Sequence, residues 1–151
     1  MKMTAKTSLG LVLLITIVAA MGSITHSQDE KESTGQNLKG QIPWRSDLDS
    51  ARHEATAANK PVLVEFVASW CPDCHEMARE CWSEAPIVTA MKGYVPVLID
   101  VDAQPNIAKQ FNVVAIPSLF VIDGKTGSIT RDVRDRVLSP DDLLAWLKQS
   151  N

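Results

Sequence analysis

A nearly continuous, β-branched apolar run over residues 61 to 68 (PVLVEFVA) leads within two residues into Cys71-Pro72-Asp73-Cys74. So short an apolar run, with no alternation, predicts a strand buried on both faces of a sheet. The strand feeds directly into a segment that continues as a helix, so the cysteines fall where a buried strand hands over to a helix. Helix and strand signals then continue in turn. Ser46 or Asp47 can cap a helix running to about Asn59, stopped by Lys60-Pro61. A helix is predicted from Cys71 to about Trp82, and Ser83 with Pro86 restarts a short one to Met91. Residues 95 to 101 (VPVLIDV) form a second buried strand, and residues 106 to 111 a short helix. A third strand over residues 118 to 122 is turned by Asp123-Gly124 toward a fourth over residues 128 to 133. Ser139-Pro140-Asp141-Asp142 combines a hydroxyl cap, a first-turn proline and first-turn carboxylates, and opens a last helix to Lys148. That order predicts an α/β domain, a central mixed sheet with helices on both faces.

Residues 41 to 151 are expected to form that domain. Ahead of it, Lys2 and Lys6 precede an apolar stretch over residues 9 to 20, and Ala20-Met21-Gly22 supplies small residues at a signal-peptidase spacing. Residues 1 to 22 therefore read as a secretory signal, with an uncleaved anchor as the alternative. Residues 23 to 40 are polar, lack any apolar period and read as a flexible tether. Either reading of the first segment places the domain outside the cytoplasm, in a periplasmic or comparable compartment. The 15 Lys and Arg and 18 Asp and Glu are interspersed, with a net charge of -3, which argues against a nucleic-acid surface.

The chemistry concentrates in the cysteine cluster. At a helix N-terminus, unpaired backbone N–H groups and the helix dipole favour a thiolate at Cys71. Cys74 lies about one turn further on, a spacing at which the two sulfurs can close a disulfide, the outer sulfur attacking and the inner one resolving. The same residues with His75 also satisfy C-x-x-C-H, the attachment signature of c-type haem, with Met77 or Met91 as a possible axial ligand. A zinc site from Cys71, Cys74, His75 and Cys81 is a weaker alternative, because these side chains converge poorly for tetrahedral ligation. Cys81 itself reads as a small buried hydrophobe. About 10.5 Å of helix rise separates it from Cys74, against the 4.4 to 6.8 Å between bridged Cα atoms. Glu65 interrupts the apolar strand, and a buried carboxylate is costly unless paired or protonated. It reads as a proton handler for the inner thiol, with an edge-facing, solvated position as the alternative. Trp70 flanks the cysteines, while Trp44, Trp82 and Trp146 read as packing residues.

Lys60-Pro61 before the strand, the Trp70-Cys71-x-x-Cys74 motif and Ile116-Pro117-Ser118 together resemble the thioredoxin family over residues 42 to 149. Within it the sequence is most similar to exported domains that resemble the C-terminal domain of the transmembrane reductase DsbD. The resemblance implies the thioredoxin fold, a redox-active Cys71–Cys74 pair with Cys71 as nucleophile and Cys74 as resolving thiol, and Pro117 as a cis-proline beside the disulfide. Glu65 stands where the family has a buried acid, usually Asp. Arg136 stands where the family has a glycine, and Leu98 where it often has a lysine near that acid. Trp70, Pro72, Asp73 and Ile116 would lie against a substrate. The implied function is thiol-disulfide oxidoreduction of protein substrates, in the reductive direction, with no cofactor or metal. No nucleotide motif is present, so electrons would be exchanged with another protein, such as a membrane thiol carrier. A thioredoxin-fold binding or chaperone module without redox turnover is the alternative.

Overall fold

The computed structural model describes residue 40 and residues 42 to 149. The expected signal segment and nearly all of the expected tether lie outside the described residues. The elements run α1 (Leu48–Ala58), β1 (Val62–Val67), α2 (Pro72–Glu80), α3 (Ala85–Met91), β2 (Val95–Asp100), α4 (Pro105–Gln110), β3 (Ser118–Ile122), β4 (Ile129–Val133) and α5 (Pro140–Leu147). The four strands form one mixed sheet in the order β2-β1-β3-β4. β1 pairs parallel with β2 and antiparallel with β3, and β3 pairs antiparallel with β4. The first cysteine-bearing junction thus leaves the sheet from an inner strand.

Successive side chains of a strand point to opposite faces, and β1 uses both. Val62, Val64 and Phe66 face a layer containing Leu48, Ala51 and Ala55 of α1 with Ala108 and Phe111. Phe66, Phe111 and Phe120 meet there with ring centroids 5.2 to 5.4 Å apart. Leu63 belongs to the opposite face, packed with Met77 of α2, Ile87 and Met91 of α3, and Leu143 and Trp146 of α5. Burying each such side chain is worth about 1.5 to 3 kcal/mol, which explains why β1 carries no alternation of polar residues. Glu65 is the exception, and the period of two places it on the face of α2.

The boundaries settle one choice the sequence reading left open and depart from it at two places. Asp47, not Ser46, caps α1, its Oδ1 accepting from the Ser50 N–H at 2.7 Å, and Asn59 ends the helix in a left-handed conformation at φ 51°. α2 stops at Glu80 rather than Trp82, because Cys81 and Trp82 turn inward and are buried. Ser83 does not cap α3; its hydroxyl donates to the Arg79 carbonyl, and Glu84 takes the cap position without a side-chain bond. At the other end of the chain Ser139 caps α5 as expected, accepting from the Asp142 N–H at 3.2 Å.

Between β3 and β4, Asp123 Oδ1 accepts from the Thr126 N–H at 2.6 Å, which holds the Asp123 carboxyl below its usual range. Gly124 sits so close to α1 that a Cβ there would lie 2.8 Å from the Ala55 Cβ. Ahead of α1, Arg45 lies alongside β2: its N–H donates to the Pro96 carbonyl at 3.0 Å and its carbonyl accepts from the Leu98 N–H at 2.8 Å. Among the described residues no helix is long and apolar enough to cross a membrane.

Candidate active site

β1 ends at Val67, and Ala68, Ser69 and Trp70 carry the chain to the start of α2. Cys71 occupies the cap position in an extended conformation, with Pro72 in the first turn, and its Sγ accepts from the Cys74 N–H at 3.1 Å. The sulfur therefore stands at the positive end of the helix, where a negative charge on it is favoured. Cys71 and Cys74 are joined as a disulfide with their Cα atoms 5.3 Å apart. Cys71 is 2% exposed and Cys74 5%. Accessibility of the closed disulfide therefore does not divide an outer from an inner sulfur; what distinguishes Cys71 is its place at the helix cap. Ala68, with Val67, Val101 and Ile116 around it, packs against the pair.

The Ile116–Pro117 peptide is cis, and the strand after it is anchored by the Ser118 hydroxyl, which donates to the Ala115 carbonyl at 2.8 Å and accepts from the Asp135 N–H at 3.3 Å. That last bond ties the loop carrying the exposed Arg136 to the start of β3. Trp70 is 63% exposed. Its indole N–H donates to Asp102 Oδ2 at 2.7 Å, and Asp102 is in turn fixed because its own N–H reaches Asp100 Oδ1 at 2.8 Å. Pro72 and Asp73 are exposed beside it. Trp70, Pro72 and, three residues before Pro117, Val114 thus lie open to solvent.

Glu65 lies at the centre of the sheet, with Leu98 of β2 and Leu119 of β3 as its register partners. It is 2% exposed, which overturns the edge-facing alternative. Burial pushes its carboxyl up from 4.5 to about 7, offset in part by the Trp82 indole N–H, which donates to Glu65 Oε1 at 3.1 Å. A cavity of roughly 280 Å³ has Glu65, Cys74, Trp82, Trp44, His75 and Leu98 in its wall. The carboxyl and the second cysteine therefore line one cleft. Among the described residues, neither Lys nor Arg lines that cavity.

Trp82 is the site neighbour that reasoning from the sequence missed. It does pack, edge-on against Trp44 with centroids 5.2 Å apart, but it also donates a hydrogen bond to the buried carboxyl. The signal lay in two facts taken together. A buried Trp needs an acceptor for its N–H, and Glu65 is the buried acceptor on that face of β1.

The competing uses of the motif fare differently. Cys71 and Cys74 are bonded to each other, and His75 Nε2 donates to the Ser69 carbonyl at 2.8 Å, an arrangement unlike haem attachment. Met77 and Met91 are core residues. Cys81 is turned away into the core, its thiol donating to the Leu138 carbonyl at 3.3 Å, so it does not converge with the other three zinc candidates. Burial first, and then nearby acids led by Glu65, push the Cys81 thiol up to about 11.

A family model described as thioredoxin-like matches residues 43–124. A thioredoxin of Rickettsia felis is 31% identical over 102 residues, a match covering 67% of this chain and 91% of that protein. The thiol:disulfide interchange protein DsbD of Ralstonia nicotianae is 31% identical over 84 residues, covering 53% of this chain and 14% of that protein. Among solved structures, the oxidised C-terminal domain of Neisseria meningitidis DsbD superposes with a TM-score of 0.58 at 25% identity, covering 72% of this chain and 99% of that one. Of its larger curated relatives the chain spans between 14% and 23% of the length.

Proposed function

The chain belongs to the thioredoxin-like family of thiol-disulfide oxidoreductases, and from that premise we propose that it is an extracytoplasmic protein-disulfide reductase. The observation that carries the reading is a Cys71–Cys74 disulfide at a helix N-terminus with a buried carboxyl across a shared cavity.

In the reduced protein the Cys71 thiolate, favoured by the helix end and the Cys74 N–H, attacks one sulfur of a substrate disulfide. The S–S bond breaks, the other substrate sulfur leaves as a thiolate, and a mixed disulfide joins Cys71 to the substrate. Cys74 then gives its proton to the Glu65 carboxylate and attacks Cys71 Sγ, expelling the second substrate thiolate and closing the Cys71–Cys74 bond. Two electrons have passed to the substrate. A dithiol protein, in our reading a membrane thiol carrier, must return them by the same exchange. Pro117 and Ile116 hold the substrate strand against the sulfurs, and Trp70, Pro72 and Asp73 form the other side of the contact. The apolar segment at residues 9 to 20 supports export, and the resemblance to DsbD supports the reductive direction.

Reduction of insulin by dithiothreitol tests the activity. The protein accelerates it, whereas a binding module with the same fold would not. A redox potential near the roughly -120 mV of a strong oxidant would overturn the reductive direction. Expressed with its own N-terminus in a bacterium, the protein is expected outside the cytoplasm beginning near Ser23; an intact Met1 on cytoplasmic protein would remove the compartment.

A further inference from the structure

The base in the resolving step is buried where ordinary partners are missing. Leu98 beside Glu65 is apolar, Leu119 on the other side likewise, and among the described residues the cavity wall carries no Lys or Arg. The titratable groups around the carboxyl are Cys74 and His75 of α2 and Asp100 at the end of β2, all on that wall, together with Cys81 at the end of α2. Asp100 and a thiolate would both disfavour a second negative charge, so neither helps Glu65 ionise. Such a carboxyl, left alone, would hold its proton through neutral pH and could not accept another.

Trp82 is the group placed to prevent this. Its N–H donates to Glu65 Oε1 at 3.1 Å, and an N–H can only donate, so the bond is strongest to the carboxylate. The indole is itself held by the edge-on contact with Trp44 and by its place in the core beside Met77 and Leu63. Building on the assignment of Glu65 as the base, we propose that Trp82 is a positioning residue that keeps Glu65 ionised and aimed into the Cys74 cavity, so that resolution runs at neutral pH without a lysine or arginine partner for the acid.

The test follows both exchange steps in one trace. The reduced full chain is mixed with an aromatic disulfide whose thiolate is coloured. The first equivalent released reports attack by Cys71, and the second reports attack by Cys74 on the mixed disulfide. Trp82→Phe keeps a ring and removes the donor. It shifts the pH midpoint of the second release upward by about one unit, the scale of a hydrogen bond to a charged group, and leaves the midpoint of the first in place. Tryptophan replaced by benzothienylalanine, which has the same shape without the N–H, gives the same shift and serves if Trp82→Phe folds poorly. In a Glu65→Gln background neither change moves the second midpoint.

An unshifted midpoint in both variants, with Glu65→Gln still abolishing the pH dependence, overturns the role of Trp82 and leaves Glu65 as the base. Equal slowing of the two releases without a shift also overturns it, since packing alone would do that. A wild-type pH profile in Glu65→Gln removes the base, and the positioning role with it.

Discussion

Replacing Glu65 by glutamine takes one ionisation out of the centre of the sheet while keeping the shape of the side chain. Burial lifts the carboxyl from 4.5 to about 7. The folded protein therefore binds this proton more tightly than the unfolded chain does. Below pH 4.5 both forms are protonated and Glu65 costs nothing through ionisation. Between 4.5 and about 7 only the unfolded chain has released the proton, so wild-type stability falls as pH rises, and above 7 the whole cost is present. At 1.36 kcal/mol per unit the cost is about 3 kcal/mol. Glutamine does not titrate and can still accept from Trp82. Its amide group leaves donors unpaired, but so does the protonated acid, and that penalty is nearly the same at every pH. Asp47 and Asp123, both held below the usual carboxylate range by hydrogen bonds to Ser50 and Thr126, contribute equally to the two proteins and cancel. The expected result is that Glu65→Gln and wild type unfold at similar urea concentrations near pH 4.5 and separate progressively until about pH 8. There the variant is more stable by about 3 kcal/mol, a midpoint difference of about one molar or more at m values of 1 to 3 kcal/mol/M. Both are measured oxidised, so that the Cys71–Cys74 bond is common to them. A separation that stays constant across this range, or a variant less stable than wild type at about pH 8, would refute the reasoning.

Three further outcomes are expected. Cys74→Ser retains the attacker without its resolver and accumulates mixed disulfides through Cys71 on non-reducing gels, while Cys71→Ser accumulates none; the opposite pattern reverses the order of attack. Alkylation after mild reduction modifies two thiols quickly and the third only on unfolding, because Cys81 is buried and its thiol is pushed up to about 11. Gly124→Ala loses about 1 to 3 kcal/mol in urea unfolding, since the new methyl would stand 2.8 Å from the Ala55 Cβ and 3.2 Å from the Thr56 backbone nitrogen.

The strands were legible because burial on both faces leaves an unbroken apolar run, and the runs at Val62–Val67, Val95–Asp100 and Ser118–Ile122 match their elements closely. Ser139 was legible as a cap because hydroxyl, proline and acids all point the same way there. Where local signals competed, tertiary packing decided. Ser83 looks like a helix start, yet the need to bury Cys81 and Trp82 ends α2 early and leaves the Ser83 hydroxyl bonded back to Arg79. The cysteine pair could be read because its chemistry is local to one junction. The Trp82 bond to Glu65 and the Trp70 bond to Asp102 were harder to read, since each joins residues far apart in sequence and depends on how β1, α2 and the loop after β2 meet.

The short lead-in at Arg45 bears on self-association. An outer strand normally leaves a row of backbone donors and acceptors open, and another chain can pair with it. Here the Pro96 carbonyl and the Leu98 N–H of β2 are already taken by Arg45, and the Arg45 side chain itself donates to Glu54, Nε to Oε2 at 3.0 Å, so the covering segment is tied to α1. A shortened chain beginning after Arg45 would keep every strand, the disulfide and Glu65, yet would uncover that row. Loss of solubility in such a chain would then be a property of its edge, separable from any loss of redox function.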